Sequence, residues 1–172
     1  MASKSSSEVT NLVVLRKNRK PIRPGDFFVF KMIDERYRFG RVVITDISGD
    51  PWPGANLVYV YDSSASEPQL PPQDQLRPDR LLIPPLWINL QGWWRGYFQP
   101  LGNQPLTKSD VLNPHCFWES LTERFLDEHG NALSATHTRE QCGVWGLSSH
   151  RGLESRVSKA IGLAPVRGEK DG

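Results

Sequence analysis

Fourteen glycines and fourteen prolines break this 172-residue chain into short pieces. Proline removes a backbone donor and glycine frees the backbone, so neither suits the interior of a long element. The runs between them are rich in aromatic and β-branched residues, which favour strands. Arg23-Pro24-Gly25-Asp26 reads as a turn and Phe27 to Ile33 as a strand. Its unbroken apolar start, Phe27-Phe28-Val29-Phe30, suits a strand covered on both faces. Asp34-Glu35-Arg36 connects it to Tyr37–Thr45, giving a hairpin. Gly40 inside the second run calls for a bulge or a close backbone approach. Leu57 to Tyr61 is a third strand, with Val58 and Val60 on one face and Tyr59 and Tyr61 on the other.

The remainder follows the same pattern. Residues 46–54 are a loop by composition, and 62–79 a long Pro-rich loop with room for a short helix near Gln73–Arg77. Leu81-Leu82-Ile83 is stopped by Pro84-Pro85; Leu86–Leu90 and Trp93–Phe98 are further strand candidates. Glu128-His129-Gly130-Asn131 marks a hairpin tip. Leu153, Val157 and Ile161 share a helical face, with Glu154, Arg156 and Lys159 elsewhere; Gly162 ends that helix and Pro165 prevents its renewal. The expected fold is mainly β, an antiparallel small barrel or strongly curved sheet with one C-terminal helix; α+β is the alternative label. The expected layout is a flexible polar and basic segment over 1–19, one β domain over 20–163, and a flexible tail over 164–172.

Charge narrows the function classes. The net charge of +2 argues against a dedicated nucleic-acid binder. That small sum hides polarity: Arg16–Arg41 holds nine bases and three acids, whereas Asp46–Leu76 holds five acids and no Lys or Arg. No apolar run approaches the ~20 residues of a membrane span, and the polar N-terminus lacks a signal peptide's apolar stretch. Two cysteines do not make a secreted disulfide framework. These features point to a cytoplasmic protein.

Catalytic signatures are sparse. Neither a phosphate-binding glycine loop, nor Gly-x-Ser-x-Gly, HExxH or CxxC occurs. The four His and two Cys lack zinc-site spacing, so no metal and no cofactor is expected. Cys116 or Cys142 as a thiolate nucleophile leaves a Cys-dependent hydrolase as one alternative. Another is a small β-barrel nucleic-acid or ligand-binding module using Arg36, Arg38 and Arg41 with interleaved aromatics. Trp52, between two prolines in a loop, is the best placed of six tryptophans to stand at the surface; Trp87, Trp118 and Trp145 are expected to cover core edges.

Three segments resemble the opening of the immunity protein 26 family: Arg23–Phe30, Tyr37-Arg38-Phe39-Gly40-Arg41-Val42-Val43 and Val58-Tyr59-Val60-Tyr61. The Trp93-Trp94-x-Gly96 region, the Asp127-x-x-Gly130-Asn131 turn and the closing helix are compatible with that likeness. The resemblance implies a bacterial protein that is not an enzyme and that blocks a cognate toxin domain of a polymorphic toxin system. The acidic stretch then becomes the expected contact surface, with Asp46, Asp50, Trp52, Asp62 and Glu67 as the partner-binding residues and no catalytic residue among them.

Overall fold

A computed structural model describes residues 9–45, 52–134 and 137–166. Its centre is the expected hairpin. β2 (Asp26–Met32) pairs with β3 (Tyr37–Ile44), and β3 with β4 (Asn56–Ala65). β5 (Leu81–Ile88) follows β4, and β6 (Gln99–Asn103) returns to the free side of β2. With β1 (Leu12–Val13) and β10 (Leu147–Ser148) they form one curled seven-stranded sheet, a half-barrel. β10 lies parallel to β5 at the edge of an otherwise antiparallel sheet. A second sheet has β7 (Phe117–Glu119) between β8 (Arg124–Leu126) and β9 (Gly143–Val144), with β7 and β9 again parallel.

The main sheet is covered on both faces, as the run Phe27–Phe30 demanded. On one face Phe28, Phe30, Met32, Val58, Val60 and Ile88 meet Leu153 and Val157 of the C-terminal helix α2 (His150–Ile161). On the other, Phe27, Val29, Phe39, Tyr59 and Tyr61 lie under Leu76 and the partly buried Leu106, Val111 and Leu112. Each fully buried side chain of this size contributes on the order of 2 kcal/mol. Alternation along β4 therefore sorts its valines and tyrosines into different cores. α2 begins at Ser149, whose hydroxyl accepts the Arg151 N–H, and ends at Gly162 in the left-handed conformation.

Several local expectations needed correction. β5 runs straight through Pro84-Pro85. Its pairing with β4 steps from Val58↔Leu86 to Val60↔Ile83, so one extra residue bulges at the prolines, where missing donors cost least. Trp93–Phe98 is not a strand: Gln91–Trp94 is the short helix α1, which turns Trp93 inward against Phe98 and Phe28. The stretch from Thr10 to Asn18 makes several hydrogen bonds to the rest of the domain. Asn11 bonds the Ser158 hydroxyl and the Ala164 carbonyl, Leu15 and Arg16 donate to the Gly96 carbonyl, and Asn18 donates to that of Trp93. Glu154 is buried, because its carboxylate accepts from the Thr10 hydroxyl and the Asn11 N–H, each at 3.0 Å. Among the described residues no helix is long and apolar enough to cross a membrane.

Gly40 meets both parts of its expectation. The β3–β4 register shifts beside it, and a Cβ there would run into the Phe28 ring and the Tyr59 carbonyl. A Gly40→Ala variant should lose about 2 kcal/mol from overpacking, read as a lower urea midpoint with an unchanged slope.

Candidate partner-binding face

The residues singled out in the acidic stretch separate along β4. Asp46 and Asp50 lie outside the described residues. Trp52 stands just before the start of β4, whereas Asp62 and Glu67 are exposed towards and beyond its far end. Six strand steps from Asn56 to Asp62 span about 20 Å. The structure thus places a tryptophan at one end and two acids at the other, not a single compact cluster.

A third core builds up beneath Trp52. Ala55 and Leu57 of the β4 region, Trp87 of β5 and Phe117 of β7 are buried, and Trp52 and Trp145 lie half-buried over them. The Trp52 ring is 6.5 Å from that of Trp87 and 4.9 Å from that of Trp145; Phe117 meets Trp145 edge-on at 5.9 Å. Val144 and Leu147, on either side of Trp145, are 51% and 44% exposed. The result is an apolar surface with a rigid aromatic base, at the join of the two sheets.

Trp145 is held there by little backbone structure. The Gly143 N–H donates to the Cys116 carbonyl at 3.0 Å and the Trp145 N–H to the Trp118 carbonyl at 2.8 Å. Gly143 itself sits against the Pro85 carbonyl and the Phe117 ring, where no side chain fits. A disulfide between Cys116 and Cys142, the residues immediately before β7 and β9, closes the pair. This corrects the reading of the cysteines as free thiols: neither is available as a nucleophile in this form, which removes the basis of the Cys-dependent hydrolase alternative.

A buried polar chain pins this second layer to the main sheet. The Tyr59 hydroxyl lies 2.6 Å from His115 Nε2 and accepts the Leu112 N–H at 2.9 Å. His115 Nδ1 is 3.4 Å from Glu128 Oε2, which also accepts the His115 backbone N–H at 3.2 Å. With a neutral imidazole, Tyr59 donates to Nε2 and Nδ1 lies near the carboxylate without a hydrogen bond of its own. Burial pushes the His115 pKa down, against the opposing pull of Glu128, and pushes the Tyr59 pKa up. Carboxylate, imidazole and hydroxyl stand in the order of a nucleophile relay, yet this hydroxyl is fully buried and its pKa moves away from activation. The chain acts as a pin.

The arginines of the nucleic-acid alternative are engaged within the protein. Arg38 is buried and grips Asp34 through both terminal nitrogens, at 3.1 and 2.6 Å. Arg41, 2% exposed, binds Asp110 at 3.3 Å and the Gln104 carbonyl at 2.7 Å, over the Phe27 ring. Arg36 is exposed but bonds Ser64 twice. Two of the three are therefore withdrawn from any phosphate backbone. Among the described residues no group of three His, Cys, Asp or Glu side chains is placed to hold a metal ion. The sequence reading missed the joint role of Val144, Trp145 and Leu147. Their only local signal is an apolar run flanked by Cys142 and split by Gly146, and the contact with Trp52 is too distant in sequence to show.

The sequence model of the immunity protein 26 family matches residues 23–127. That span holds Trp52, Trp87, His115, Cys116 and Phe117, whereas Cys142 and Trp145 follow it. No curated protein and no solved structure matches the chain.

The pinned imidazole sets a pH dependence. Its folded pKa lies below the ordinary value of 6.5, so on acidification the unfolded chain takes up a proton that the folded chain refuses. Stability present above about pH 6.5 should therefore fall as pH drops below that value. Asp34, Asp110 and Asp127 also have lowered pKa values, but from a starting value of 3.8, so they act only in stronger acid. Urea midpoints at pH 7.5 and 5.5 should decrease in that order, and His115→Gln should flatten the difference.

Proposed function

The chain belongs to the immunity protein 26 family, and on that premise we propose that it binds a cognate toxin domain of a bacterial polymorphic toxin system and blocks it by covering its active site. The observation that carries this reading is the Trp52–Trp145 pair, half-buried over Trp87 and Phe117 and flanked by the exposed Val144 and Leu147. Aromatic anchors on a rigid base lose little entropy when a partner covers them, and such residues dominate interface energetics. Function is then binding rather than turnover.

Charge supplies the second part. Asp46 and Asp50 precede Trp52 in the chain, and no Lys or Arg occurs between Asp46 and Leu76. A toxin that acts on phosphate esters carries a basic active site, to which this stretch is complementary. A standard interface covers about 800 Å² per partner, a patch roughly 30 Å across. On this reading Asp62, about 20 Å along β4 from Asn56, stands towards the rim of such a patch and Glu67 beyond it. Trp52 is then the anchor, and the acids at the far end are rim charges that raise the association rate.

With the toxin domain encoded by the neighbouring gene, Trp52→Ala should weaken binding about 30-fold, the size of an anchor worth ~2 kcal/mol. Reversing Asp46, Asp50, Asp62 and Glu67 to Lys should slow association about tenfold and abolish most of its salt dependence. Unchanged affinity in the tryptophan variant and unchanged association in the charge variant, with neutralisation intact, would overturn this reading.

A further inference from the structure

The segment carrying Trp145 is held by little regular structure. β9 is two residues long and joins β7 through the bonds from Gly143 and Trp145; β10 is two residues long and is joined to the end of β5, where Asn89 donates to the Ser148 carbonyl. So few pairs rarely hold a strand by themselves. Upstream, Cys142 follows Cys116 at a sequence separation of 26. The disulfide turns that long excursion into a closed loop and fixes its end beside Phe117. Cys116 and Cys142 adjoin Phe117 and Gly143, the first residues of the paired strands, so the covalent link sets the register that brings the Trp145 ring over Phe117 and against Trp52. The main sheet needs none of this: β2 to β5 are joined by five or six paired positions at each ladder and carry two separate cores.

We propose that the Cys116–Cys142 disulfide is a redox clasp on the partner-binding face: oxidised, it holds Trp145 against Trp52; reduced, it releases residues 142–148 while the main sheet stays folded. This rests on the functional reading above and adds its regulation. It also states a working environment, since such a bond persists where the surroundings are oxidising and is lost to cytosolic thiol systems. Thus the oxidised protein is the neutralising form. Cys116 is half-buried, so a small reductant has a route to the bond. With a trialkylphosphine, phosphorus attacks one sulfur and the S–S bond breaks. Water then delivers oxygen to phosphorus, giving the phosphine oxide and two thiols.

The test compares the full-length oxidised protein, the same protein treated with a trialkylphosphine, and the Cys116→Ser/Cys142→Ser double variant. Hydrogen–deuterium exchange is followed by peptide. Reduction and the double variant should each speed exchange over residues 143–148 at least tenfold, leave β2–β5 unchanged, and weaken binding of the neighbouring gene's toxin domain at least tenfold. Unchanged exchange over 143–148 overturns the clasp. Equal acceleration over β2–β5 overturns it as well, because the bond would then be holding the whole domain. Exchange needs no toxin, so it fails separately from the functional reading. If Trp52→Ala keeps its affinity and the charge-reversed variant its association rate, with neutralisation intact, the reading falls whatever the clasp does. If Trp52→Ala loses affinity while the double variant keeps it, the clasp falls and the reading stands.

Discussion

The contact between the Tyr59 hydroxyl and His115 is the constraint on which the second layer depends. Tyr59 lies in the middle of β4, fully buried on the face away from α2. Its hydroxyl meets the imidazole and the Leu112 N–H, so the return of the chain over the main sheet is fixed at one polar point. Two supports of the proposed face follow that point within two residues: Cys116 carries the disulfide, and Phe117 belongs to the aromatic base. An unpaired buried hydroxyl or imidazole costs more than a made hydrogen bond returns. The pin therefore specifies position more than it adds stability.

The polarity of the charge layout has a different outcome at its two ends. Within the basic stretch, Asp26, Asp34 and Glu35 each meet a base: Arg23, Arg38 and Lys31. Arg41 is used inside the protein by Asp110. These are structural uses of charge, and the buried Arg41 knot ties β3 to the loop before β7. Arg16, Lys17, Arg19 and Lys20 remain as an exposed basic strip, with Arg19 over the half-buried Trp94. Asp62 and Glu67, by contrast, face solvent, which suits steering better than structure.

The strands that were legible in the sequence are those whose signal is local. Phe27–Phe30 announced a doubly covered strand, Val58 and Tyr59 announced opposite faces, and Gly40 announced a tight approach; each depends on neighbours a few residues away. Gly162 closed the helix where its backbone freedom implied. Pro84-Pro85 misled because a bulge absorbs what proline lacks, and a bulge is a property of two strands. Glu154 misled because its partners, Thr10 and Asn11, come from the opposite end of the chain. The candidate face was half visible: Trp52 stood out between two prolines, but its contact with Trp145 crosses more than ninety residues. The disulfide escaped for the same reason, since its spacing of 26 residues carries no signature of its own.

On the proposed function, a toxin domain docks on the tryptophan pair at the join of the two sheets. Hydroxyl-radical footprinting of the protein, alone and with the neighbouring gene's toxin domain, tests it most directly. Protection of Trp52, Trp145 and Leu147 from oxidation, with Trp94 beside the basic strip unchanged, is the predicted result. Protection confined to Trp94, with Trp52 and Trp145 oxidised as fast in the complex as in the free protein, would contradict it.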